Sequence, residues 1–344
     1  MSSEKASFSN NSIDLFKFIF AFVVIAIHTA PLIMCQNPII LNSYFFLTEL
    51  AVPFFFMASG YLLALKMDYP YQSNVDVYRI KKTLMRVLKL YLIWTLIYSP
   101  MALYNYMTSA DSVKRCVYMF FKGFFFLGEQ YNSWHLWYLL SMLYALLVIF
   151  VLLKKKLMSM KGILIISVVL CFASLFMDSF MGIDFDLLSS GQVKVRNFID
   201  NTIVYGRFFR GMIYIPVGMF IAHKRLPSIF NWVMFVVGCF FQLFVANTIV
   251  IRGLLIVLAA IGLFGIIERI KLKDSKVYKY LRQSSTVIYF VHMYMWTLYY
   301  SVVYGQRSLG LDTFLATSVL SLLCAVIFIV FRKCLSTIAN FRKK

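Results

Sequence analysis

Two ionisable residues, Lys17 and His28, sit eleven positions apart in the first long apolar stretch, Ile13–Met34. Eleven residues are about three helical turns, so the two side chains share a face and lie roughly 16 Å apart along the axis. Ionisable groups inside a spanning helix are costly and point into protein or a wet cavity. The pair therefore predicts a polar track leading from near one membrane surface toward the other. An imidazole titrates near neutral pH and can take a proton from a hydroxyl, which makes His28 the best general-base candidate in the chain. The bland alternative has Lys17 snorkelling to the headgroups and His28 hydrogen-bonding a neighbouring helix.

Other side chains join this pair by depth or by pattern. Glu49, in an apolar stretch running back inward from Tyr44, falls at about the depth of His28. It is a candidate to orient His28 or to stabilise its charged form; the alternative is an ion pair with Arg207 or Arg210. His135 stands at the outer mouth of the fourth apolar segment, flanked by Trp134, Trp137 and Tyr138. Those rings make an interfacial aromatic belt, and rings at an outer mouth also stack on sugars. On the inner side, Lys82, Arg86 and Lys89 recur at three- and four-residue spacing and form one basic stripe. Such a stripe suits either anionic lipid or the phosphates of a nucleotide-like donor. His292 reads as a satisfied interhelical hydrogen-bonder in the inner half of its segment.

Composition says what must position these residues. Of 344 residues, 61% are hydrophobic and 14% charged, and the mean hydropathy is +0.79, which together define a polytopic helical membrane protein. A formal charge of +20 in a soluble chain would point to nucleic acid. Here the basic residues cluster in short loops, so orientation in a bilayer accounts for them and no nucleic-acid partner is expected. The four histidines and six cysteines show no CxxC and no metal-ligand spacing.

Ten spans are expected, at approximately 13–34, 44–65, 87–107, 133–153, 162–181, 208–222, 229–246, 249–267, 284–304 and 313–331. Cys116–Gly128 is apolar but too short to span and is expected to be interfacial or re-entrant. With both termini cytoplasmic, 24 basic residues fall inside and 9 outside, leaving Lys17 within the first helix. Every alternate loop then obeys the positive-inside rule. The expected fold class is thus all-α, a bundle of about ten transmembrane helices forming one domain over 1–344 with no separate soluble domain. No metal and no oligomeric state is indicated.

Read in order, several of these segments resemble the acyltransferase-3 family of integral membrane acyltransferases. The matching pieces are Ile13–Asp14 with Lys17-x10-His28, then Ala51-Val-Pro-Phe-Phe-Phe-Met-Ala-Ser-Gly-Tyr61, and the basic run ending Arg86-Val-Leu-Lys-Leu-Tyr91. His135-Leu-Trp-Tyr-Leu139, Gly211 to Gly218, and Ser285-Thr-Val-Ile-Tyr-Phe-Val-His292 complete the series. The resemblance implies transfer of an acyl group, often acetyl, from cytoplasmic acyl-CoA onto an envelope saccharide or glycolipid, at a bacterial inner membrane. It implies a catalytic role for His28, with Glu49 and His135 behind it. Lys17, Lys82 and Arg86 would hold the acyl-CoA phosphates, and Arg210, Trp134 and Trp137 the acceptor. The family's Arg-x-x-Arg element is incomplete: Arg86 fits its second position, but Thr83 occupies the first, with Lys82 beside it. Two rival readings share the architecture without acyl transfer: a glycan exporter or flippase, and an amino-acid-supplying module of a racemase system.

Overall fold

The computed structural model describes residues 10–202, 207–244 and 248–341, and every regular element among them is helical. In chain order these are α1 (Asn11–Thr29), α2 (Pro38–Ala64), α3 (Asn74–Thr108), α4 (Val113–Lys122), α5 (Trp137–Lys154) and α6 (Met160–Met181). There follow α7 (Ser190–Thr202), α8 (Arg207–His223), α9 (Ser228–Phe244), α10 (Ile249–Ile267), α11 (Lys276–Val303) and α12 (Leu311–Phe341). A π-helical turn, Gly123–Leu127, follows α4, and a 3-10 turn, Trp134–Leu136, leads into α5.

The all-α class of a multi-pass membrane protein holds. Seven helical runs are long and apolar enough to cross a membrane: α1, α2, α3, Trp134–Lys154, α6, α10 and Leu311–Ser336. Of the helices at the other three expected spans, α8 and α9 have 17 residues each. The third, α11, has 28 residues, with serines, tyrosines and a histidine breaking its apolar run. The short stretch 116–128 is α4 and the π-turn, with Val117, Tyr118, Phe121, Phe125 and Phe126 exposed along it.

The chain divides into two compact units, with the division falling within α2 and at the end of α10. The second unit takes Ser9–Ala51 and Ile267–Lys344, and is built on α1, α11 and α12. Asn10 caps α1 by accepting from the backbone N–H of Ser12 (3.2 Å) and Ile13 (3.4 Å), supplying partners for donors that a helix start leaves open. The same turn is tied to the strand of chain before α11. Ser12 Oγ donates to Ile267 O (2.6 Å), Asn10 Nδ2 to Glu268 O (3.0 Å) and Asn11 Nδ2 to Asp274 Oδ1 (2.8 Å). At the far end, Ala30 adopts a left-handed conformation (φ 43°) that stops α1, and Gly310 N–H donates to Thr29 O (2.8 Å). Between the pinned ends, Ala21, Ile25, Ile288 and Ala325 form the apolar core.

The first unit spans Val52–Ile266 and closes through glycines. A Cβ on Gly60 would meet Ile215 O at 2.1 Å, and one on Gly218 would meet Met57 O at 2.1 Å, so the end of α2 and α8 touch backbone to backbone. A Cβ on Gly211 would meet Ser141 O of α5 at 2.5 Å, and Gly211 donates its N–H to Ser141 Oγ (2.9 Å). Pro216 cannot donate to Met212 O one turn back, and Ser167 Oγ of α6 supplies the missing donor at 2.9 Å.

Candidate functional site

In the second unit, α1 carries Lys17, Ala21, Ile25 and His28 on one face, the face that packs into the apolar core. His28 falls in the last turn of α1, and its ring centre lies 5.3 Å from that of His292, with the planes tilted by 33°. His292 is buried on α11, and its Nδ1 lies 2.8 Å from Tyr289 O and 3.1 Å from Ile288 O. His292, expected in the inner half of a span over 284–304, lies beside His28, expected in the outer half of its own. Its helix begins at Lys276 rather than Ser284, so His292 stands past the middle of a 28-residue element and reaches the end of α1.

At the opposite end of the same helix, Asp14 is 2% exposed and pairs with Arg282 Nη1 of α11 at 3.2 Å. Lys17, one turn on and half-buried, adds its charge to Asp14. An acid and two bases therefore stand at one end of the α1–α11 seam and two imidazoles at the other. Glu49 is exposed on α2, between buried Thr48 and Leu50.

In the first unit, the residues expected at the outer mouth gather around Trp137. Arg207 and Arg210, on successive turns of α8, hold their guanidinium carbons 5.5 Å and 5.9 Å from the Trp137 ring centre. Arg207 also pairs with Glu129 at 3.2 Å. Burial pushes the Glu129 carboxyl above its ordinary value, against the pull of Arg207 and Lys122. The loop that carries Glu129 is shaped by Gly128, in the left-handed region at φ +67°, where a Cβ would meet Trp137 Cα at 2.5 Å. Gln130 then ties it down, accepting from Tyr106 Oη (2.6 Å) and donating to Phe120 O (2.7 Å). Trp134 is half-buried. His135 departs from the expectation of an open mouth: it is 2% exposed and packs edge-on against Tyr98, ring centres 5.1 Å apart.

The basic stripe on α3 is open. Lys82, Arg86 and Lys89 are all exposed, whereas Arg79 is engaged by Asp76 and by Lys66 O. The preceding loop is fixed by Tyr71, whose buried hydroxyl donates to Met219 O at 3.1 Å. Burial pushes that phenol up to about 12, helped by Tyr69 and Asp76, so it stays protonated and remains a donor. Beside it, Tyr69 stacks on His223 with ring centres 3.7 Å apart.

The structure thus brings Arg210 to Trp137 and sets Lys82 and Arg86 on one exposed face. It gives His28 a neighbour, His292, that spacing did not assign to it. Glu129 and Arg207 are the other site residues that pattern alone did not select. Among the described residues no group of three or more His, Cys, Asp or Glu could hold a metal ion.

These features define a multi-pass helical membrane protein with a half-buried histidine beside a buried one and two separate clusters of basic side chains. The chain belongs to the acyltransferase-3 family, whose acyltransferase domain matches residues 10–330. That family comprises acyltransferases moving groups other than amino-acyl groups. An amino-acid racemase of Enterococcus faecalis is 34% identical over 150 residues, which are 42% of this chain and 20% of the racemase. A second from the same organism is 32% identical over 180 residues, 51% of this chain and 23% of that protein. A serine/alanine racemase of Enterococcus gallinarum is 41% identical over 102 residues, 28% of this chain and 14% of the racemase. The chain therefore spans less than a quarter of the length of these relatives. No solved structure matches it.

Proposed function

We propose that the chain is a membrane O-acyltransferase that moves an acyl group, acetyl in the simplest case, from cytoplasmic acyl-CoA to a hydroxyl of a cell-envelope saccharide or glycolipid. Ten spans with both termini cytoplasmic, in a bacterial inner membrane, are part of this reading. The observation that carries it is the family match over 10–330 in a chain that holds Lys17 and His28, half-buried, on one face of α1, with His28 beside a second imidazole.

In the step proposed, His28 takes the proton of the acceptor hydroxyl as its oxygen attacks the thioester carbonyl. The new C–O bond forms, the C–S bond breaks, and His28 returns the proton to the departing thiolate. Lys82 and Arg86 supply exposed positive charge for the donor's phosphates, and Lys17, on the helix that carries His28, adds a further charge. Trp137 offers a ring and Arg210 a donor for a sugar acceptor, with Trp134 beside them. His135 and Glu49 keep supporting roles.

A second reading is favoured by one finding, the likeness to racemases. The chain would then be a membrane module that supplies an amino acid to a racemase carried elsewhere. Membrane vesicles bearing the protein separate the two. The enzyme reading expects labelled acetyl from acetyl-CoA in envelope glycans, with release of free CoA thiol. Serine or alanine uptake without any thiol release, from acetyl- or succinyl-CoA alike, would sink it in favour of the module.

A further inference from the structure

We propose that the turn joining α11 to α12 is a saccharide-binding site, where Tyr299, Tyr304, Arg307 and Asp312 hold a neutral sugar of the acceptor beside the end of α1. This rests on the acyl-transfer reading above and deepens it, because it puts acceptor and proposed base on one unit. Asp312 Oδ2 accepts from Tyr304 Oη at 2.5 Å and from Tyr299 Oη at 3.2 Å. Each phenol has a single hydrogen and directs it at the carboxylate, so each phenolic oxygen is left to accept from a further partner. The two rings meet edge to face with centres 6.0 Å apart. Tyr304 is 47% exposed and Asp312 is exposed, so acceptor oxygens and an aromatic ring are presented together at an open surface.

Donors come from Arg307, an exposed side chain whose guanidinium carbon lies 4.8 Å from the centre of the buried Trp296 ring. That contact with a ring face holds the planar fork in place. Ser308 ties the two parts of the turn: its O accepts from Trp296 Nε1 (3.0 Å), and its Oγ lies 3.4 Å from Thr313 Oγ1, next to Asp312. One acid and one base balance, which favours a ligand without net charge. Hydroxyls that both donate and accept, carried on a ring with an apolar face, match phenolic oxygens, a guanidinium and an open tyrosine ring. An interfacial aromatic belt accounts for tyrosines, but it calls for no carboxylate shared between two of them and no guanidinium set on a tryptophan. Position points to the acceptor. Gly310 N–H donates to Thr29 O at 2.8 Å, Thr29 follows His28, and Asp312 lies two residues past Gly310. On α11, His292, Trp296 and Tyr300 recur at one-turn spacing, so the ring beside His28 begins a row that leads to this turn.

The test applies the full chain in detergent to a microarray of bacterial envelope glycans, with thermal unfolding recorded in parallel. The wild type is expected to bind neutral glycans. Tyr304→Ala, which removes ring and hydroxyl, and Asp312→Asn should each lower the affinity for those glycans ~10-fold or more. Arg307→Ala, on an exposed side chain, carries the same expectation if the other variants do not fold. A wild type that binds no glycan overturns the proposal. So does a variant that loses thermal stability but keeps its affinity, since the cluster would then only close the turn. Binding of labelled serine in place of any glycan, lost in the same variants, overturns it in favour of an amino-acid site. Glycan binding that the variants lose, in a protein that transfers no acetyl from acetyl-CoA, upholds the site and removes only the acyl-transfer reading. Transfer by the variants at an unchanged KM for the glycan removes the site and leaves that reading standing.

Discussion

The two units close their helices in different ways. In the first, glycines let backbones meet: Gly60 on Ile215, Gly218 on Met57 and Gly211 on Ser141 leave no space for even a methyl group. In the second, α1, α11 and α12 are pinned near their ends by Ser12, Asn10, Asp14–Arg282 and the Thr29–Gly310 bond, with small and branched side chains between. Glycine contacts make a seam with no functional side chain in it. End pins let polar side chains such as His28 and His292 stand in the seam at chosen depths. Both units carry ion pairs, Arg207–Glu129 in the first and Asp14–Arg282 in the second, and the exposed stripe of Lys82 and Arg86 belongs to the first. Under the acyltransferase reading, the first unit supplies the rigid scaffold with Lys82 and Arg86, and the second carries the proposed base, His28.

The largest expected effect tests the scaffold half. Gly218→Val drives Cβ into Met57 O at 2.1 Å, and no side-chain rotation relieves a clash with backbone. We expect a loss of about 3 kcal/mol or more, read as failure to recover monodisperse protein in detergent. Tolerance of valine there would break the comparison at its root.

Next comes the pin of the second unit. Arg282→Ala leaves Asp14 buried without that partner and should cost about 1–3 kcal/mol in thermal unfolding. Pairing it with Asp14→Asn should restore most of the loss, since a neutral amide is cheaper to bury than a carboxylate. No recovery in the double variant would mean that the pair does not hold α1 to α11.

Ligand capture at the margins should change binding and not chemistry. Under the acyltransferase reading, Lys82→Ala with Arg86→Ala should raise KM for acetyl-CoA several-fold, with kcat unchanged and the effect shrinking at high salt. A fall in kcat with KM fixed would move the stripe into the chemical step.

The smallest effect concerns Glu129. Its raised pKa means that the folded protein holds the proton more tightly than the unfolded chain, so this group stabilises the fold increasingly as pH falls and loses that contribution as pH rises through the folded value. Wild type should gain on Glu129→Gln as unfolding is moved from pH 7.5 to pH 5.5. A change of the opposite sign would show that the Arg207 pair outweighs burial.

How much of this was legible before the structure depends on whether the signal was local. Lys17 and His28 share a helix, so spacing alone put them on one face. Lys82 and Arg86 were readable for the same reason. His292 is visible in the sequence as a histidine in an apolar run, but its nearness to His28 is a contact between two distant helices that spacing within neither one contains. The tie between Arg207 and Glu129 depends on a π-helical turn and a left-handed glycine, neither of which leaves a periodic trace in the sequence. His135 looked like a mouth residue because aromatic belts are common at such positions. Its burial against Tyr98 is a tertiary fact that no window around it contains.

The central claim is that His28 removes the acceptor's proton, and the most direct test compares wild type with His28→Ala at matched expression in membranes given labelled acetyl-CoA. The account predicts incorporation of label into envelope glycans by the wild type and a loss of ~100-fold or more in the variant. Equal incorporation by both would contradict it.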